Sequence, residues 1–172
     1  MTGDPVLTEL REDDANVFWP WHRDHLAWHI RRWSEAWHLG WDEADIAARI
    51  RDGRLIEKEW TELLAAADGD DTLVRVLRDG EQPIGAIYAE IRTDPYMGLP
   101  LGVLSWLHVD EAARGRRLSE PLVKAALAWW AQRGVPIAQV YVTAGNDAAI
   151  KAYAKGGFEI IDHRMLVGIR RR

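Results

Sequence analysis

The chain has 172 residues, 48% of them apolar and 28% charged, with 22 Lys and Arg against 27 Asp and Glu for a net charge of −5. That length suits one domain with a real core, and the balance excludes disordered, collagen-like and low-complexity chains. There is no Cys, which excludes disulfides, a thiol nucleophile and Cys-ligated metal, while the acidic balance argues against general nucleic-acid binding.

In chain order, Val6 to Arg11 alternates loosely and predicts a short strand. Asp13 and Asp14 are placed to cap a following helix. Pro20 interrupts the pattern, so the helix is expected to restart around it and run to about Leu39, with Gly40 as its end. Asp42 reads as an N-cap, with Asp45 three residues on in a box-like arrangement. That helix extends to Ile50 and closes at Gly53. Ile56, Trp60, Leu63, Leu64 and Ala67 repeat at helical spacing and predict a helix ending at Gly69. Strand-like runs follow at Leu73 to Arg78 and Ile84 to Arg92, joined by the hairpin signal Asp79-Gly80. Pro and Gly make residues 93–100 a loop. Leu101 to Val109 alternates, with Leu101, Val103, Ser105, Leu107 and Val109 on one face. Leu104, Trp106 and His108 take the other. Leu118, Leu122, Ala125, Ala126, Trp129 and Trp130 mark a helical stripe ended by Gly134. Pro121 requires that this helix begin near 118. Ile137 to Val142 reads as a strand, Asn146 starts a helix that stops at Gly156-Gly157, and Phe158 to Ile161 and Met165 to Ile169 read as two last strands. The order predicts a mixed α/β or α+β fold in a single domain, 1–172. No run approaches eighteen uncharged apolar residues, so no membrane span is expected. The first residues lack a basic and then apolar stretch, and the expected compartment is the cytoplasm.

The strongest chemical signal lies after Val109. The stretch Asp110-Glu-Ala-Ala-Arg114-Gly115-Arg116-Arg117-Leu118-Ser119 joins a strand to a helix through a turn rich in Arg and Gly. Free N–H groups and the positive dipole end at a helix start favour anions, and three Arg add donors that fork onto phosphate oxygens. The residues alone leave two readings open, a site for a phosphorylated small ligand or a solvated basic turn. No Gly-Lys-Ser/Thr follows, and two of the three glycines of a dinucleotide fingerprint are missing.

This stretch resembles the cofactor motif of the GNAT superfamily of N-acetyltransferases, Gln/Arg-x-x-Gly-x-Gly/Ala. Arg114 takes the first place, Arg117 stands where Gly is usual, Ser119 where Gly or Ala is usual, and Glu111 in a common Pro position. A second segment is similar to the family's Asn-x-x-Ala-x-x-x-Tyr-x-x-x-Gly-Phe, with Asn146, Ala149, Tyr153, Gly157 and Phe158 in register. The resemblance covers about residues 72–170 directly and the helical segment, about 12–69, by position.

The resemblance implies a mixed, mostly antiparallel sheet of about seven strands, with helices on both faces and a Trp-rich helical front. Its fourth and fifth strands splay to admit acetyl-CoA. The pantetheine arm would pair with Leu107, His108 and Val109. The pyrophosphate would rest on the amides of Arg114, Gly115, Arg116, Arg117, Leu118 and Ser119. Asn146 would contact the cofactor arm, and Tyr153 would protonate the leaving thiolate. The implied reaction is acetyl transfer from acetyl-CoA to an amine acceptor, small molecule or protein, without a metal. The resemblance leaves room for a homodimer. The attacking amine must lose its proton, and His108, Glu90 or a water chain are the candidates to take it.

Seven of ten Trp precede residue 61. His22, His25 and His29 share a helix face with Leu26, Trp33 and Trp37. Packing is one reading of this face, a His-ligated metal a second, and a partner surface a third. The resemblance adds a fourth, an acceptor side in which Trp33, Trp37 and His29 meet a cationic or aromatic amine. The rival to an enzyme is a non-catalytic module that binds CoA or a partner through these helices.

Overall fold

In the computed structural model, which describes residues 4–162, the elements are β1 (Val6–Thr8), α1 (Ala15–Ala36), α2 (Glu43–Asp52), α3 (Leu55–Ala67), β2 (Thr72–Asp79), β3 (Gln82–Thr93), β4 (Pro100–Val109), α4 (Ser119–Gln132), β5 (Ile137–Val140) and α5 (Asp147–Lys155). Single 3-10 turns at Glu12–Asp14 and Glu111–Ala113 precede α1 and α4. The chain divides into two compact units. One comprises the residues up to Asp14 with Glu62–Glu159, and the other contains Ala15–Thr61.

The first unit is built on a sheet in the order β1-β2-β3-β4-β5. Neighbours up to β4 are antiparallel, and β5 joins β4 in parallel after the α4 crossover. A parallel neighbour requires such a crossover, and α4 supplies it. The β2–β3 hairpin closes at the pair Asp79 and Gln82, with Gly80 at φ +61°, a left-handed position that glycine occupies without a Cβ penalty. Leu122, Val123, Ala126, Trp129 and Trp130 of α4 pack with Leu77, Ile87, Ala89 and Leu104. Gly102 lets Trp130 approach, since a Cβ there would meet the indole at 2.6 Å. The mixed α/β class predicted from sequence is what the structure has.

Several boundaries differ from the sequence reading. Among the described residues the sheet has five strands, not about seven. Residues 158–161 form no strand; Ile160 and Ile161 are both exposed, and β-propensity without a face to pack does not make one. Met165 to Ile169 lies outside the described residues. The strand begun at Ile137 ends at Val140 rather than Val142. Asp14 does not cap α1. Its carboxylate accepts from Arg11 N–H at 2.9 Å and from the buried Arg78 at 2.6 Å.

The second unit is helical. α1 runs through Pro20 without restarting. Pro20 lies early in the helix, where one missing N–H bond is offset by burial of Phe18 and Trp21 on either side. α1 stops at Ala36, short of Leu39, because His38 turns left-handed at φ +54°. Leu39 N–H then bonds Ser34 C=O at 3.0 Å and His38 N–H bonds Glu35 C=O at 3.1 Å, the paired closure that caps a helix C-terminus. The predicted Asp42–Asp45 capping box is present at the start of α2. Phe18 packs against Trp21 and Trp60, with ring centroids 5.0 and 5.6 Å apart.

Candidate functional site

β4 decides the geometry of the sheet unit. Its pairing with β3 is regular up to Leu104 opposite Ala89, then skips Ser105 and resumes with Trp106 opposite Tyr88. That extra residue is a β-bulge, and a one-residue insertion reverses which side chains face which way. Leu104 faces the α4 core, and beyond the bulge so do Leu107 and Val109. The expected grouping of Leu104 with Trp106 and His108 is therefore wrong. Trp106 and His108 lie on the opposite face, their rings 5.7 Å apart and nearly parallel.

The same bulge marks where β5 leaves. β5 pairs with β4 only from Leu101 to Leu104, and β4 runs on to Val109 without it. Asp110 N–H donates to Ile84 C=O at 2.9 Å, which directs residue 110 toward β3. Alternation along the strand then turns the main-chain groups of Leu107 and Val109 into the gap.

The turn after β4 carries bare amides. Arg114 N–H is used by Glu111 C=O at 3.2 Å and Glu120 N–H by Arg117 C=O at 3.1 Å. Among the described residues, the N–H groups of 115–119 between them meet no backbone acceptor. Leu118 caps α4 without a side-chain hydrogen bond. Gly115 and Arg117 are both left-handed, at φ +83° and +58°. Arg117 thus occupies a backbone position that suits glycine and bears a cost of about 1 kcal/mol as an L-residue. Arg116 pairs with Asp79 at 3.2 Å, and Arg114 lies 3.8 Å from Glu111. Arg117 is exposed and has no ion-pair partner among the described residues.

Tyr153 is buried in the sheet unit's core beside Leu118, Leu122 and Val123, its ring 5.9 Å from Phe158. Burial pushes its hydroxyl up to about 12, so it holds its proton at neutral pH. Asn146 is the N-cap of α5 and accepts from Ala149 N–H at 3.2 Å. Glu90 accepts from Arg92 at 2.7 Å and from Ser105 of the bulge. Burial alone would raise its carboxyl, but the Arg92 and Ser105 bonds and the Arg92 charge hold it below the usual carboxylate range. Arg92 and Ser105 escaped the sequence reading, because a serine in an apolar strand carries no signal of a bulge.

In the helical unit Trp33 and Trp37 stack at 6.4 Å and 11°. Together with Trp41, Leu39, Asp45 and Asp52 they line a pocket of about 740 Å³. His29 does not line it; its ring lies 5.7 Å from Trp33, and burial lowers its imidazole. His22 is buried 6.2 Å from Phe18, and His25 and His29 are 4.3 Å apart. Among the described residues no group of three or more His, Asp or Glu is placed to hold a metal. No helix among the described residues is long and apolar enough to cross a membrane.

Residues 13–158 match the family model described as acetyltransferase (GNAT) family. A mycothiol acetyltransferase of Saccharomonospora viridis is 27% identical over 144 residues, which is 83% of this chain and 39% of that protein. The chain thus spans about two fifths of the length of that curated relative. The solved paiA N-acetyltransferase of Thermoplasma acidophilum, in complex with coenzyme A, has a TM-score of 0.70 at 18% identity and covers 94% of each chain. An aminoglycoside 6'-N-acetyltransferase of Acinetobacter haemolyticus has a TM-score of 0.58 at 17% identity, over 97% of this chain and 99% of that one. These two likenesses carry the fold.

Proposed function

The chain belongs to the acetyltransferase (GNAT) family, and we propose that it transfers an acetyl group from acetyl-CoA to an amine by direct attack, as a single catalytic domain. One observation carries this reading. The gap between β4 and β5 opens at the Ser105 bulge and leads to the bare amides of 115–119 at the start of α4. Leu107 and Val109 offer main-chain groups to an extended arm, while those of His108 between them are turned toward β3. Gly115, Arg116, Arg117, Leu118 and Ser119 offer N–H groups to a diphosphate, the Arg114 N–H being spent on Glu111 C=O, and Arg117 keeps its guanidinium for a further phosphate. Acetyl-CoA, when bound, supplies the activated acyl carbon. A main-chain N–H of β4 is aimed to stabilise the oxyanion.

Tyr153 is our general acid, since burial keeps it protonated. Asn146 spends its carbonyl on the α5 cap and has its NH₂ for the cofactor arm. Glu90 is already held as an anion by Arg92 and Ser105, which makes it a weak direct base. His108 or a water held by Glu90 suits the proton transfer better. Likeness to mycothiol acetyltransferases supports a small-molecule acceptor, with Trp33, Trp37 and the adjoining His29 on the acceptor side.

The test is calorimetric titration with acetyl-CoA beside thermal melts. At about a hundred times Kd the ligand stabilises the fold by about 2.7 kcal/mol, or about 5–10 °C in Tm. Tyr153→Phe is expected to lower kcat by about 10²–10⁴ with acetyl-CoA affinity unchanged. Silence toward both acetyl-CoA and CoA at millimolar concentration would turn the assignment to a partner-binding module.

A further inference from the structure

The turn after β4 is pinned at its two ends and strained between them. Ala113 and Leu118 are buried in the core of the sheet unit, and the four residues 114–117 between them are exposed. Gly115 and Arg117 are left-handed on either side of Arg116. An L-residue keeps that conformation only where its surroundings over-determine it, and exposed residues gain little from apolar packing. Arg114 lies 3.8 Å from Glu111, three residues back, which is a contact within the turn itself. Among the described residues, the ion pair that ties the turn to another element is Arg116 with Asp79, 3.2 Å apart. Asp79 stands on a rigid support. It closes the β2–β3 hairpin opposite Gln82. The adjacent Arg78, 3% exposed, donates across that hairpin to Glu81 C=O at 3.3 Å, and to Thr8 Oγ1 and Asp14 on the other side. Arg11 holds the Glu81 carboxylate at 2.7 Å. The Asp79 side chain is 19% exposed against 44% for Arg116, so the carboxylate is the fixed partner and the guanidinium is drawn to it.

We infer that Asp79 is a positioning residue for diphosphate binding: through Arg116 it holds the turn in the form that leaves the amides of 115–119 bare. This role for Asp79 rests on the acetyl-CoA reading of the turn. Two effects of removing its charge have opposite signs. Asp79 is an anion beside a site for anions, so by Coulomb's law alone its loss tightens the ligand. A turn without its anchor must instead be ordered by the ligand, and affinity falls. The second effect is the one expected to win, because Arg116 already neutralises Asp79 while nothing else among the described ion pairs replaces the tie.

Calorimetric titration with CoA tests the role, with far-UV melts of each ligand-free variant as the control for folding. Asp79→Asn is expected to raise Kd about two- to fivefold, the range of a partly exposed ion pair. Asp79→Glu keeps a charge for Arg116 and is expected to stay within about twofold of the parent. In an Arg116→Gln background Asp79→Asn is expected to add no further loss, since the coupling runs through that guanidinium. A Kd for Asp79→Asn equal to or below that of the parent overturns the role of Asp79. So does a loss that Asp79→Glu shares in full, or one that persists undiminished in Arg116→Gln. A parent silent toward CoA overturns the acetyl-CoA reading and this role together; a parent that binds while Asp79→Asn binds as well overturns the role alone.

Discussion

The sheet unit and the helical unit each bury ionisable side chains, and they do so by opposite means. In the sheet unit Arg78 and Asp14 are about 97% and 95% buried and are paired with each other at 2.6 Å. Arg78 also donates to Thr8 Oγ1 at 2.8 Å and to Glu81 C=O at 3.3 Å, and Asp14 accepts from Arg11 N–H. In the helical unit His22, 2% exposed against Phe18, stays neutral because burial pushes its imidazole down to about 4. The two units treat aromatic rings differently as well. Trp130 is sealed against Gly102 in the sheet core, while Trp33 and Trp37 are left half-exposed. A buried charge needs fixed partners, which a sheet and its flanking turns can supply; a helix face of rings accommodates a neutral imidazole instead.

The largest effect comes from breaking the charged pair. Asp14→Ala leaves Arg78 buried without its partner and is expected to cost about 3–5 kcal/mol in urea unfolding; a loss under 1 kcal/mol would show that water replaces the carboxylate. Next is acid. The unfolded imidazole of His22 takes up its proton near pH 6.5 and the folded one only near 4. Its stabilisation is whole above about 6.5 and is lost as pH falls toward 4, by up to about 3 kcal/mol. Urea midpoints across that window are expected to fall less steeply in His22→Leu than in the parent. Gly102→Ala drives a methyl group into the Trp130 indole and is expected to cost about 1–3 kcal/mol. Trp33→Leu is expected to stay within about 0.5 kcal/mol, so equal losses at the two sites would erase the contrast. The smallest effect has the opposite sign. Arg117→Gly relieves a left-handed backbone and is expected to stabilise by about 0.5–1 kcal/mol, while weakening acetyl-CoA in calorimetry through the lost guanidinium.

Much of this was legible in the residues. The Asp42 and Asp45 box, the Asp79-Gly80 hairpin, the α4 stripe and the helix begun at Asn146 are local signals, and each formed as read. The turn from Arg114 to Ser119 was legible too, since a strand, a Gly and a helix start lie within one short stretch. What misled was context. Pro20 reads as a break, yet α1 passes through it between two buried aromatics. Ile160 and Ile161 read as strand, yet both are exposed and form none.

The sequence by itself determined the α/β class, the order of the elements as far as α5 and the family motifs, because caps, turns and periodicity act between residues a few positions apart. Only the tertiary structure decided that β4 bulges at Ser105, that β5 leaves it after Leu104, and that Arg92 and Ser105 hold Glu90 ionised. Leu104, Trp106 and Leu107 are apolar on either side of that bulge, so their pattern fits both an unbroken and a shifted strand. The choice belongs to the pairing with Tyr88 and Ala89 on β3, and no local signal in β4 contains it.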